Sequence, residues 1–177
     1  MRALLLAALL ALPVHAQSER AQTALKKLFP EAERFVAKDV FLTEELAARL
    51  QTVARAKITE RMVTFYVASA RGQTLGYAVL HTHKVRTKNE TLAVAFEPDG
   101  RLRRLDVARF LEPPEYEPPP RWLAQFKSAS TASRLTVGED LDVVSGATLS
   151  VRGVAETARW LLQLFQEAKV AAPERAR

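Results

Sequence analysis

Apolar residues near the end of the chain fall at Val151, Val154, Ala155, Ala158, Leu161, Leu162, Phe165 and Ala168. This is the i, i+3, i+4, i+7 spacing of a long helix with one buried face. The same period predicts a first helix over 17–28, with Ala21, Leu25 and Leu28 on one side. Phe29-Pro30 ends it, because the residue before a proline avoids the helical region. A second helix is predicted over 43–56, with Thr43 as its cap, Leu46, Leu50 and Val53 inward, and Glu44 and Glu45 suiting the dipole.

Between these helices the period changes to two. Met62 to Ala70 alternates through Val63, Phe65, Val67 and Ser69, a half-buried pattern, and Arg71-Gly72-Gln73 turns the chain. Thr74 to His81 returns with Leu75, Tyr77, Val79 and His81 on one face. Thr91 to Phe96 and Arg101 to Phe110 pair across the Glu97-Pro98-Asp99-Gly100 turn. The segment 111–120 holds five of the nine prolines, so it reads as a loop. A short helix, Arg121 to Lys127, and a polar stretch to Gly138 follow. The order helix, helix, two hairpins, short helix, long helix predicts an α+β fold: an antiparallel sheet of two hairpins with flanking helices and a long C-terminal helix.

Ahead of that last helix stands Asp142-Val143-Val144-Ser145-Gly146-Ala147-Thr148-Leu149-Ser150, a polar turn rich in hydroxyls. Thr148 or Ser150 suits the N-cap. Unpaired first-turn N–H groups and the positive dipole end favour an anion there, and Gly146 lets backbone come close. On this physics alone, a plain Gly turn with hydroxyl caps is the better account of the stretch.

At 177 residues, with 48% hydrophobic and 26% charged residues, the chain has the size and make-up of one globular domain. Residues 1–16 read differently. Arg2, the apolar run Ala3 to Leu12 and the site Val14-His15-Ala16 have the layout of a secretory signal, with 17–177 as the exported domain. The run is too short for a span, which needs roughly twenty residues. The absence of cysteine excludes disulfides, thiolate metal or iron–sulfur sites and haem attachment, so redox chemistry would need an organic cofactor. The formal charge of +6 comes without a basic run interleaved with aromatics, so nothing points to nucleic acid. His81 and His83 would share a strand face, but no third ligand is visible; with Lys84 and Arg86 they read as a polar sheet end. Glu139, Asp140 and Asp142 lack calcium-loop spacing and read as a solvated acidic turn. Ser145, flanked as Val-Ser-Gly, does not make a nucleophile elbow.

Asp142, Ser145-Gly146-Ala147-Thr148 and Ser150 resemble the flavin-attachment signature of the FMN-binding domain family, and Leu28 to Glu33 is similar to the opening of many of its members. The family includes FMN-carrying subunits of the sodium-translocating NADH:quinone reductase and of the Rnf complex, and the FMN domain of the nitrous-oxide-reductase regulator. The resemblance implies FMN bound through a phosphoester on Thr148, installed by a Mg-dependent flavin transferase that takes FMN from FAD. Asp142 and Ser145 would be recognised, and Gly146, Ala147, Leu149 and Ser150 would surround the attachment point. Glu112 stands where members have a loop bordering the flavin, although Pro113-Pro114 departs from their Thr-Pro-Gly. Trp122 and Lys127 look like the family's helix-then-lysine segment. The resemblance implies no metal ligand and no catalytic residue, but an electron-transfer component outside the cytoplasmic membrane that serves a membrane redox complex or an exported redox partner. Against it stands a non-covalent anion- or ligand-binding accessory module without redox activity.

Overall fold

A row of apolar side chains, Phe65, Val79, Val94 and Leu105, runs in register across four antiparallel strands. In a computed structural model of the chain, residues 14–171 are described. Five strands, β1 (Arg34–Phe41), β2 (Met62–Ala70), β3 (Gln73–Lys84), β4 (Asn89–Phe96) and β5 (Leu102–Phe110), lie side by side in sequence order, each antiparallel to its neighbour. The helices are α1 (Val14–Leu28), α2 (Glu44–Ala54), α3 (Pro120–Leu123) and α4 (Thr148–Glu167). The α+β class and the long C-terminal helix are as the pattern predicts. The leader read over 1–16 lies outside the described residues except for 14–16, whose backbone opens α1. Among the described residues no helix is long and apolar enough to cross a membrane.

The two predicted hairpins are parts of one five-stranded meander, and its first strand was not expected. β1 is an edge strand. Its positions are exposed or half-buried throughout, and Lys38 and Asp39 sit in its middle, so it lacks the apolar alternation that marks a half-buried strand. Thr64 of β2 donates its hydroxyl to Asp39 Oδ1 at 2.6 Å, and Lys38 donates to the Val170 carbonyl at 2.7 Å.

The sheet is covered on both faces, so its central strands are more buried than the half-buried pattern implied. On one face the row Phe65–Val79–Val94–Leu105 meets α4 and, with α2 and the α3 segment (α3 continued by the 3-10 turn Ala124–Phe126), forms the main core. On the other face Ala68, Ala78, Ala93 and Ala95 receive Leu25, Leu28 and Phe29 from α1 and the turn after it. Small residues on that side let α1 lie close. The consequence is a continuous buried run from Leu92 to Phe96, typical of a strand packed on both sides.

α4 buries the predicted stripe from Val151 to Phe165, with Thr157, Trp160 and Leu164 also inside, while Ala168 is half-buried just past its end. Phe165 anchors it, stacked on Phe96 at 5.0 Å and edge-on to Tyr77 and Phe65 at 5.2 and 5.8 Å. In α2, Thr43 caps the helix by accepting the Leu46 N–H at 3.2 Å, as expected. Val53, expected inward, is instead 48% exposed, and Ala54 is buried in its place.

Phe29 closes the α1 side over Gly76 of β3. A side chain on Gly76 would stand 2.3 Å from the Phe96 carbonyl and 2.8 Å from the Phe29 ring. Both neighbours are fixed, one as sheet backbone and the other as a fully buried ring. Gly76→Ala is therefore expected to cost about 2 kcal/mol or more through overpacking, read as a lower urea midpoint with an unchanged slope. An unchanged midpoint would mean that the Phe29 contact is not tight.

Candidate functional site

The backbone around the polar motif is shaped by one turn and two anchors. The Ala147 N–H donates to the Val144 carbonyl at 3.2 Å, closing a turn whose third residue is Gly146 at φ +83°. That position of the turn requires a positive φ, which glycine adopts without strain. A side chain there would meet nothing, so the demand is on the backbone and not on space. Upstream, Asp142 is held from the α3 segment. Trp122 Nε1 donates to its carbonyl at 2.7 Å, and Gln125 Oε1 accepts its N–H at 3.0 Å. Trp122 itself is buried edge-on to Phe126 at 5.1 Å.

Neither hydroxyl assigned to the cap takes that role. Ala147 is the N-cap, with no side-chain hydrogen bond, Thr148 is the first helical residue, and Ser150 is buried one turn in. Cap geometry depends on where the turn ends, and the Val144–Ala147 turn ends one residue before Thr148. Thr148, Ser145 and Gly146 are exposed, and so are Val143 at 68% and Leu149 at 52%. The first intrahelical acceptor in use is Ala147, bonded by Val151 N–H at 3.0 Å, which leaves the N–H groups of 148–150 without a partner among the described residues.

Beside this helix start lies a recess of about 250 Å³. Its walls are Gly146 to Ser150, Val85 and Arg86 from the turn between β3 and β4, and Glu112 and Tyr116 from the proline-rich loop. Glu112 holds two of these walls together. Its carboxylate accepts the N–H groups of Arg86, Thr87 and Lys88 at 3.2, 2.6 and 2.7 Å, and the Thr87 hydroxyl at 3.2 Å. The Lys88 and Thr87 N–H groups hold its carboxyl below the usual carboxylate range, opposed by desolvation.

Of the residues picked from the sequence, Gly146, Ala147, Thr148, Leu149, Ser150 and Glu112 meet at this recess. Ser145 lies in the turn leading to it and Asp142 just upstream of that turn, while Trp122 anchors the motif from behind. Lys127, exposed at the end of the α3 segment, does not line the recess. Tyr116 and Val85 carry no motif of their own. They come from loops whose local sequence carries only turn signals, and tertiary packing alone brings them here. The Glu139–Asp140 pair is built into its own loop. Glu139 pairs with Arg134, and Asp140 accepts the Leu135 and Thr136 N–H groups at 2.7 and 2.6 Å.

The two strand histidines are not a polar sheet end. They are packed beneath α4, His81 edge-on to Trp160 at 5.0 Å and stacked with His83 at 5.8 Å. Glu60 Oε1 lies 3.6 Å from His81 Nε2, and Glu90, fully buried, brings Oε2 to 3.2 Å from His83 Nε2. Burial raises the Glu90 carboxyl, with His83 opposing. Among the described residues no group of three or more His, Cys, Asp or Glu side chains is arranged to hold a metal ion.

No protein-family model matches the chain, and no curated protein matches it. Among solved structures, the crystal structure of Shewanella oneidensis NqrC is similar, with a TM-score of 0.49 and 19% sequence identity over 81% of this chain and 74% of that one.

Burial lowers the His81 pKa to about 4; the Glu60 carboxylate opposes this and the charge of His83 adds to it. In the unfolded chain the ordinary value is 6.5. Between those values the unfolded state binds more protons, so the His81 contribution is full above pH 6.5 and is lost as pH falls towards 4, by about 3 kcal/mol in all. Glu90 has the opposite sign, since a raised carboxyl favours the fold at low pH. The melting temperature should fall from pH 7 to pH 4, and His81→Phe should flatten that dependence. An equal slope in the variant would remove His81 as its source.

Proposed function

We propose that this chain is an exported flavoprotein that carries FMN through a phosphoester on Thr148 and passes electrons outside the cytoplasmic membrane. The observation that carries the reading is the Thr148 hydroxyl. It is exposed on the first residue of α4, takes no part in capping, and opens beside a recess with three unpaired N–H groups. Donors of this kind suit a phosphate, and Arg86 in the wall adds a cation. The chemistry of the site therefore fits the group that the motif implies.

In the attachment step the Thr148 oxygen forms a bond to the flavin-side phosphorus of FAD. The bond between the two phosphates of FAD breaks, and AMP leaves while the hydroxyl gives up its proton. A Mg-dependent flavin transferase would catalyse this step, reading Asp142 and Ser145, which the turn presents at the surface. Val143 and Leu149 are the exposed apolar side chains of the motif. Once in place, the flavin supplies the redox chemistry, and the protein contributes position and electrostatics. The first-turn N–H groups would hold the phosphate end. Glu112, its carboxylate already committed to the backbone of 86–88, ties that turn to the proline-rich loop.

At about 250 Å³ the recess is smaller than the roughly 300–1,000 Å³ that encloses a whole small ligand. It would shelter part of the cofactor and leave the rest open, an arrangement that suits exchange with a large partner, either a membrane redox complex or an exported redox protein.

Intact mass of the protein made alongside the transferase tests attachment and export together. The expected species starts at Gln17 and carries FMN less one water after denaturation. Thr148→Val should keep the fold and lose the adduct. A variant that retains FMN mass would sink the phosphoester. Flavin released on denaturing the wild type would favour the non-covalent binding module, and Met1 retained on a membrane-bound chain would overturn export. A second measurement concerns turnover. In stopped flow, the purified, loaded protein should be reduced quickly by a protein or quinol-side donor and only slowly by NADH. Fast, saturable reduction by NADH alone would make it a self-sufficient oxidoreductase.

A further inference from the structure

A second recess, of about 480 Å³, shares no residue with the first. It lies among the end of α2, the 130–137 loop and the middle of α4. Four arginines line it, Arg55, Arg134, Arg152 and Arg159, against one carboxylate, Glu156. Their states differ. Arg134 pairs with Glu139 at the rim. Arg159 is fixed by two backbone carbonyls, donating through Nε to Ala54 at 3.0 Å and through Nη1 to Leu135 at 2.6 Å. Arg55 and Arg152 are exposed and have no ion-pair partner among the described residues. The 130–136 loop adds several hydroxyls to the same wall.

Gathering guanidinium groups in a concavity costs repulsion that a solvated basic surface would avoid by spreading them. A guanidinium held in place by carbonyls is also pre-organised, so little freedom is lost when its remaining N–H groups meet a ligand. The forked donors match phosphate oxygens, and the volume is that of a small-molecule site. We propose that this recess binds a small phosphate-bearing anion, with Arg159 as its fixed contact and Arg55 and Arg152 closing on it from α2 and α4. The site is independent of the Thr148 motif and of any flavin.

The test uses the full chain made without flavin transferase, titrated calorimetrically with inorganic pyrophosphate and with AMP. Saturable binding is expected. Arg55→Gln and Arg152→Gln should each weaken it about tenfold or more, the usual scale for a lost charge-assisted hydrogen bond. Both residues are exposed and bond no other element, so the variants should keep the wild-type melting temperature. Thr148→Val should bind as the wild type does. The proposal is overturned if neither probe binds saturably, or if Arg55→Gln retains full affinity, which would put the anion at the start of α4 instead. Binding of polyglutamate with none of pyrophosphate or AMP would mark the face as a docking surface for acidic protein and would also overturn it.

Discussion

The burial of α4 against the sheet fixes nearly everything else. Phe165 sits in a cage of Phe65, Tyr77 and Phe96, and the helix runs from there to Thr148 with its apolar face inward. Each fully buried Leu, Val or Phe contributes on the order of 1.5–3 kcal/mol relative to exposure. With so many on one stripe, neither rotation nor axial slip of the helix is cheap. The position of its first residue is therefore set by contacts some five turns away. The motif needs no rigidity of its own, because the helix behind it is already placed.

What remains is to bring other parts of the chain to that point, and polar groups do this. Trp122 and Gln125 take both backbone groups of Asp142, so the α3 segment fixes where the motif begins. Glu112 does the corresponding work across the recess by accepting three consecutive N–H groups of the turn between β3 and β4. A carboxylate used this way ties two loops at one point, where apolar packing would require a larger buried surface than such loops can offer. The proline-rich run from 111 to 120 is consistent with that economy, since fixed φ angles reduce the disorder lost when the loop is held.

The apolar periodicity made α1, α2, α4 and four of the strands legible, because each has a face that must be dry. β1 was hidden for the opposite reason. An edge strand needs no dry face, and Lys38 and Asp39 look like loop residues until the ladder to β2 is seen. The histidines were misplaced by their charged neighbours. Lys84 and Arg86 suggested a wet strand end, whereas His81 lies under Trp160. In the site, the motif was legible as a local string, while Tyr116 and Val85 belong to it only through tertiary packing. The arginine recess left no signal at all. Its four members are spread from 55 to 159, and each alone reads as ordinary surface.

The starts of α2 and α4 make an instructive pair. At α2 every local device is present: Thr43 caps the Leu46 N–H, and two glutamates occupy the first turn. At α4 the sequence supplies hydroxyls on both sides of the start, yet Ala147 is the cap and makes no side-chain bond. Leaving out a Ser, Thr or Asp cap costs a helix about 1 kcal/mol, and no acidic residue in the first turn offsets the dipole. Stability alone would have favoured moving a hydroxyl one position. The cost is tolerable because tertiary burial, and not capping, holds α4 in place. The open start and the free Thr148 hydroxyl follow together from that one choice of register: had Thr148 been the cap, its oxygen would be occupied and the N–H groups beside it partly satisfied. One place inside the helix, the Thr148 hydroxyl stays free beside N–H groups that can receive an anion.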